Sequence, residues 1–324
     1  MRFDERARAA GMRLIRFRLV KCLLHGSSNY ASQRPHPQTQ FLILREAVVA
    51  LLTVTGLLSR VATSIASEPL AKGIQDNSFF IEEAYNQEPG VVQHILNVPI
   101  NFTNGAREIA PSFTQEWPIF SQTHQFSYTI PYVLTKDDSG IADTQLNYRL
   151  QALMEDDWTP AFAPRFSLVL PTGNEHKGFG TGVVGYQFNL PFSKIVSDRW
   201  TLNFNAGMTV FPNVRNSRHL TNYNLGASAI YAVSRDLNLM LETVAGWNED
   251  IAEGAFAFEE SVERATSAIV SPGVRYAFNL PNDAQLVIGA ALPIGLTSDS
   301  PDWGVFFYFS FEHSFLRTEP RRSK

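Results

Sequence analysis

Cysteine occurs once in the 324 residues, as Cys22, so the chain can build neither an intrachain disulfide nor a thiolate metal cluster. Leu19, Val20 and Lys21 in front of it lack the small side chains that a lipid-anchoring site needs. Long apolar runs are missing as well. A spanning helix takes roughly 18 or more apolar residues, and the best stretch, Val48 to Leu58, falls short, which excludes a polytopic helical protein. Charge of one sign is not in excess: 27 basic against 31 acidic side chains leave a net charge of -4, no footprint for nucleic acid. Catalytic motifs are also absent. There is no Gly-x-Ser-x-Gly and no His-Glu-x-x-His, and His94, His124, His176, His219 and His313 are scattered, without a nucleophile, base and orienter in sequence proximity. The expectation is a protein that is not an enzyme and carries no cofactor and no metal.

What is present begins with an export signal. Arg2, Arg6, Arg8, Arg13, Arg16, Arg18 and Lys21 make a basic leader. Arg45, the apolar run Ala47 to Leu58 and the small-x-small triplet Ser64-Ile65-Ala66 then form the three parts of a secretory signal peptide. Cleavage after Ala66 or Ser67 would remove residues 1–67, and residues 68–77 would form a periplasmic lead-in. The alternative, an N-terminal membrane anchor, would need a run nearer ~20 residues.

Downstream, one theme repeats: apolar and polar residues alternate strictly, then a turn follows. Period two means a strand with one face against apolar surroundings and the other against water or polar groups. Ala142, Thr144, Leu146, Tyr148, Leu150 and Ala152 alternate with Asp143, Gln145, Asn147, Arg149 and Gln151. Leu202, Phe204, Ala206, Met208 and Val210 alternate with Asn203, Asn205, Gly207 and Thr209. Val305, Phe307, Phe309 and Phe311 alternate with Tyr308, Ser310 and Glu312. About eleven such segments can be counted, starting near Val92, Gln125, Ala142, Phe162, Gly180, Thr201, Tyr223, Leu237, Ser267, Gln285 and Val305. They are longer than the five or six residues usual in a soluble sandwich and long enough to cross a hydrocarbon layer when tilted. The fold expected is all-β, an antiparallel transmembrane β-barrel over residues 78–316, with 317–324 as a tail.

Aromatic placement agrees. Trp117, Trp158, Trp200, Trp247 and Trp303 all fall at expected strand ends, where an amphipathic indole suits the membrane interface. The last strand, Val305 to Phe315, is aromatic-rich and ends near the C-terminus, a form suited to the barrel-insertion machinery. Both termini on the periplasmic side require an even strand number. Long external loops then fall at Thr135–Ile141, Pro171–Phe179, Pro212–Leu220, Asn248–Arg264 and Thr297–Trp303. Short turns fall at Glu155–Thr159, Ser193–Arg199, Ser234–Asp236 and Asn279–Ala284. Parity demands a twelfth strand, for which Ser78 to Tyr85 is the candidate despite its poor alternation, with Asn86–Gly90 as the following loop. Thr103 to Glu116 is then long for a periplasmic turn.

The stretches Phe79-Phe80-Ile81-Glu82-Glu83-Ala84-Tyr85-Asn86-Gln87-Glu88-Pro89-Gly90, Leu168-Val169-Leu170-Pro171-Thr172-Gly173 and Gly178-Phe179-Gly180-Thr181-Gly182 resemble an outer-membrane family labelled for meta-pathway phenol degradation or transport. The resemblance spans roughly Ser78 to Phe315. It implies a barrel in a Gram-negative outer membrane, reached by signal-peptide export, and uptake of small, including aromatic, compounds. It carries no set of binding or catalytic residues.

With the apolar face against outer-membrane lipid, the other face lines the lumen: Asp143, Gln145, Asn147, Arg149, Gln151, Arg165, Gln187, Asn189, Asn203, Asn205, Asn224, Glu242, Arg275 and Glu312. Twelve strands lie between small filled barrels and open porins. The lumen can therefore be a narrow channel for a small-molecule solute or a closed polar network, and the mixed charge signs argue against a strongly ion-selective pore. Gly173, Gly178, Gly180 and Gly182 sit between two strands, whereas a phosphate cradle precedes a helix, so they suit a tight, mobile external loop. The acidic loop with Glu249, Asp250, Glu253, Glu259, Glu260 and Glu263 reads as a solvated loop, with ion binding or gating as the sharper alternative. Three functional readings stand: a channel or uptake protein, a structural or adhesive barrel with a closed lumen, and a lipid-modifying enzyme built from residues distant in sequence.

Overall fold

The computed structural model describes residues 69–74, 76–215, 218–253 and 260–315. The expected leader and signal peptide and the tail from 317 lie outside the described residues. Every described strand belongs to one closed antiparallel sheet within the compact unit Leu70–Lys324.

In chain order the strand segments are β1 (Val91–Thr103), β2 (Ala106–Ile109), β3 (Ser112–Ile119), β4 (Ser121–Leu134), β5 (Ser139–Ile141) and β6 (Thr144–Leu150). There follow β7 (Ala161–Phe162), β8 (Arg165–Leu170), β9 (Gly185–Ile195), β10 (Trp200–Val214) and β11 (Arg218–Ala232). The last are β12 (Leu237–Glu253), β13 (Glu260–Leu280), β14 (Ala284–Ala291), β15 (Ile294–Gly295) and β16 (Trp303–Ser314). β2 with β3, β5 with β6, β7 with β8 and β14 with β15 are each one wall strand in two pieces, so the barrel has twelve strands. Three of those four breaks contain a proline, Pro111, Pro164 and Pro293, which has no N–H to give the ladder. The wall closes where β1 meets β16, in register from Val91 opposite Ser314 to Phe102 opposite Trp303. Among the described strands closure leaves no sheet edge unpaired, which a lipid environment requires.

The twelfth strand is not at Ser78–Tyr85, where parity points. Ser78–Tyr85 forms no strand, and Asn86–Gly90 is not a loop between two wall strands. The missing strand is β2–β3, inside the stretch expected as a long turn. Its alternation is hidden because Gln115 sits among its outward residues, satisfied by a hydrogen bond from Tyr128 Oη at 2.8 Å, and because Pro111 and Pro118 interrupt it. β1 accordingly runs toward the end of the barrel carrying the long loops, where the β1–β2 hairpin at Asn104-Gly105 lies, whereas a wall strand at Ser78–Tyr85 would make it run the other way. At the other end β3 and β4 meet in a turn at Phe120, with φ of 63°.

Two of the expected long loops are mostly ladder. β10 and β11 pair up to Val214 opposite Arg218, with a bulge at Pro212-Asn213. β12 and β13 pair from Leu237–Tyr276 out to Glu253–Glu260, so most of Asn248–Arg264 is a hairpin that continues beyond the register shared with β11. Trp247 stands where β12 leaves that shared wall, opposite Tyr223, rather than at a strand end. Trp200 and Trp303 are the first residues of β10 and β16, Trp117 is near the end of β3, and Trp158 is in the turn before β7.

Burial is inverted relative to a soluble protein. Arg275, Glu242, Gln93, Gln125 and Asn238 are among the most buried side chains, while Phe204, Leu225, Tyr276, Phe307 and Phe309 are exposed on the outer face. Exposed apolar residues in continuous alternation with buried polar ones place the hydrophobic medium outside the wall.

Candidate functional site

The barrel interior holds the chain's own segment 74–90, of which residue 74 and residues 76–90 are described. It enters beside the turns that follow β9 and β11: the Ala71 N–H donates to Asp198 O at 2.9 Å, and Gly73 packs against the Arg235 backbone. It then crosses the lumen and leaves into β1. The lead-in expected in the periplasm therefore turns into the barrel.

A buried segment outside any ladder must find partners for its backbone polar groups, and here the wall side chains supply them. Glu242 Oε1 accepts from the Phe80 N–H at 3.0 Å, Asn205 Oδ1 from Glu82 at 2.9 Å, Ser193 Oγ from Ala84 at 2.7 Å and Gln151 Oε1 from Asn86 at 2.8 Å. The partners sit at every second residue of the segment, as in a strand, but they belong to β12, β10, β9 and the end of β6 in turn. Asn205 Nδ2 and Gln151 Nε2 donate back to the carbonyls of Glu82 and Ala84 at 2.9 and 2.7 Å.

Three wall arginines grip the same segment. Arg149 donates to the carbonyls of Glu83 and Tyr85 and to Asn86 Oδ1, at 3.2, 2.8 and 2.8 Å. Arg165 pairs with the Glu82 carboxylate at 2.7 Å. Arg275 donates to the carbonyls of Asp76 and Asn77 at 2.7 and 2.8 Å and pairs with Glu83 at 3.4 Å. Asp76 in turn accepts from Gln93 Nε2 at 2.6 Å and from Tyr308 Oη. Charges buried this way are tolerable only because they are paired.

The apolar side chains of the segment also have prepared places. Phe79 lies with its ring 5.4 Å from Phe306 and 5.3 Å from Tyr308, in a cluster with Ile95, Met240 and Val287. Gly273 and Gly289 face it: a Cβ on either would come within 2.7 or 2.5 Å of its ring. Gly226 likewise makes room for Ile81 Cδ1. These strand glycines permit the close approach of another part of the chain.

Of the residues expected to line the lumen, Arg149, Gln151, Arg165, Asn203, Asn205, Glu242 and Arg275 contact the segment; Asn203 does so through Ser78 at 3.3 Å. Asn147, Gln187 and Asn189 join the wall network instead, accepting from Arg165 or donating to Asn205. Gln145, Asn224 and Glu312 hold wall positions opposite Val169, Gly246 and Gln93. Asp143 does something else. Its carboxylate accepts from the N–H groups of Gly173 and Thr181 at 3.0 and 2.9 Å, pinning the glycine-rich loop expected to be mobile. Sequence reasoning missed Gln93, Glu116 and Gln125 in the wall and Asp76, Glu82 and Glu83 in the segment. Glu116 was hidden in the concealed strand, while Gln93 and Gln125 lie in β1 and β4, strands already counted; for the segment, the signal was the glycines interrupting otherwise regular strands.

The family model described as "Putative MetA-pathway of phenol degradation" matches residues 96–312. The chain belongs to this family. The matched region of the family runs from β1 to β16 and does not include segment 74–90. Among solved structures the chain is similar to an outer-membrane channel from Pseudomonas putida F1, with a TM-score of 0.52 and 11% identity, covering 72% of this chain and 98% of that one. That likeness shows the fold, an outer-membrane β-barrel. The NanC porin matches with a TM-score of 0.44 and 10% identity over 68% of this chain and 100% of its own. The OmpT outer-membrane protein of Vibrio cholerae matches at 0.34 and 8%, over 71% and 100%. No curated protein matches the sequence.

Proposed function

We propose that the protein is an outer-membrane channel for small solutes, closed at rest by its own segment 74–90. The observation that carries this reading is the independence of wall and segment. The ladder closes through β1 and β16 without the segment, and among the described residues the bonds between 76–87 and the wall all involve a side chain, so this stretch can leave without breaking a β-ladder. What it would uncover is a passage of Asn, Gln, Ser, Glu and Arg side chains with an apolar patch around Phe306 and Tyr308, while a second inward apolar cluster, Val169, Phe211, Val214, Leu220 and Ile251, lies nearer the loop end. Such a lining suits small compounds with apolar character, aromatic ones included, in keeping with the family's phenol-degradation description, and the fold shared with the channel from Pseudomonas putida F1 supports the channel part of the reading.

The competing reading is a structural barrel whose lumen stays filled, favoured by the density of the hydrogen bonds just described. Single-channel recording of the refolded protein separates the two. Arg149→Gln combined with Arg275→Gln weakens the grip while leaving the ladder intact, and the channel reading expects conductance steps that are rare in the parent and frequent in the variant. A variant that keeps the heat-modifiable mobility of a folded barrel but stays silent would decide for the structural reading.

A further inference from the structure

Resting on the channel reading, we propose that the seat of Phe79 is a ligand subsite for a single-ring aromatic compound bearing an oxygen substituent, and that Phe79 occupies it as an internal ligand with which the solute competes.

The seat has the features of a ring-binding site rather than of a general hydrophobic contact. Two wall glycines on adjacent strands, Gly273 of β13 and Gly289 of β14, leave a space one ring deep, and Phe79 fills it. Aromatic side chains close it, with Phe306 and Tyr308 both at centroid distances and tilts typical of favourable ring pairs. Phe80 covers Phe306 from the segment side, with centroids 4.7 Å apart.

Polar groups stand beside the space. Arg275 follows Gly273 by two residues on the same inward face and lies directly opposite Gly289 in the ladder. In the closed state its guanidinium binds carbonyl oxygens of the segment. With the segment gone, it would be a buried cation with unmet donors, matched by a carboxylate or a phenolic oxygen. Glu242, which binds the Phe80 N–H, would likewise be free to accept from a hydroxyl. The segment thus presents to the wall an aromatic ring and oxygen acceptors, the same combination as a benzoate or a phenol. Since one seat cannot hold two rings, the solute and the closed segment exclude one another. Each would shift the equilibrium by its differential affinity for the wall.

The test uses the refolded full-length mature barrel and benzoate as probe, with acetate as a ringless control, by isothermal titration calorimetry. Phe79→Ala empties the seat and is expected to bind benzoate about tenfold more tightly than the parent, because the internal competitor is gone. Adding Gly289→Val refills the seat and is expected to abolish the gain, and acetate is expected to show none. A folded Phe79→Ala barrel that binds benzoate no better than the parent, or acetate as well as benzoate, overturns the proposal. Should Phe79→Ala fail to fold, Ser78→Cys in the parent background supplies the answer. The mature region has no other cysteine, and benzoate should speed its reaction with a maleimide several-fold, whereas an unchanged rate refutes competition. Conductance by the loosened arginine variant, with no gain in benzoate binding by Phe79→Ala, would leave the channel reading standing and remove only this one. Tighter benzoate binding by Phe79→Ala, with the arginine variant silent, would do the reverse.

Discussion

Arg275 of the wall and Glu83 of the internal segment pair at 3.4 Å, both buried, although 192 residues separate them in the chain. The same guanidinium holds two backbone carbonyls, so it fixes both the charge and the path of the segment.

Replacing Arg275 by Gln should therefore be the most damaging single change in the lumen. It leaves the Glu83 carboxylate and two carbonyls without their donor, and breaking a buried pair costs about 3–5 kcal/mol. The expected outcome is a lower temperature for loss of heat-modifiable mobility. Glu83→Gln in the same chain should recover part of the loss, which a double-mutant comparison of the two would measure.

Gly273→Val and Gly289→Val place side chains where the Phe79 ring lies. The wall should still close, because its ladder does not involve the segment. Limited proteolysis followed by mass analysis is expected to cut within residues 74–90 in these variants and to spare them in the parent. Equal protection would mean that the wall yields instead.

The outer face should be intolerant of charge. Phe309 is exposed in the middle of β16, and Phe309→Arg should destabilise the barrel in a bilayer by about 2–4 kcal/mol. In a folding titration, Val305→Arg, nearer the loop end of the same strand, should cost less, since the penalty falls toward the interface.

Asp143→Ala should release the loop between β8 and β9 without opening the wall. The carboxylate accepts from Gly173, Thr181 N–H and Thr181 Oγ1, and nothing in alanine replaces it. Cleavage after Lys177 should become rapid while the barrel keeps its folded gel mobility.

The turn before β7 should respond to acid. Backbone N–H groups of Thr159 and Trp158 hold the Asp156 carboxyl below its ordinary range. A depressed folded value means the stabilisation is complete above the usual carboxylate pKa and fades as pH falls through the folded one. Trp158 fluorescence should shift over that acidic range in the parent and not in Asp156→Asn.

Much of the wall was legible because alternation is a local property. Tyr148 beside Arg149, or Phe309 beside Ser310, declares which medium each face meets before any partner strand is known. Strand parity was legible too, but the position of the twelfth strand was not. Gln115 on the outer face and the prolines around β3 broke the pattern, while the half-apolar run at Phe79–Tyr85 offered a false substitute. The lumen residues were recognisable as inward-facing, yet their work was hidden. Arg149 and Arg165 read as members of a mixed-charge lining, and nothing near them in the chain announces that they hold Glu82, Glu83 and Tyr85.

By itself, then, the sequence determined that this is an inside-out β-barrel, which residues turn inward, and that the interior is polar with both charge signs, because each of these follows from neighbours one or two residues apart. Only the tertiary structure decided what fills the interior. The bonds that hold segment 74–90 join its backbone groups to side chains 36 to 199 residues downstream. A backbone carbonyl has no residue-specific signature, so no pattern in the sequence marks which arginine it will meet once the wall has closed.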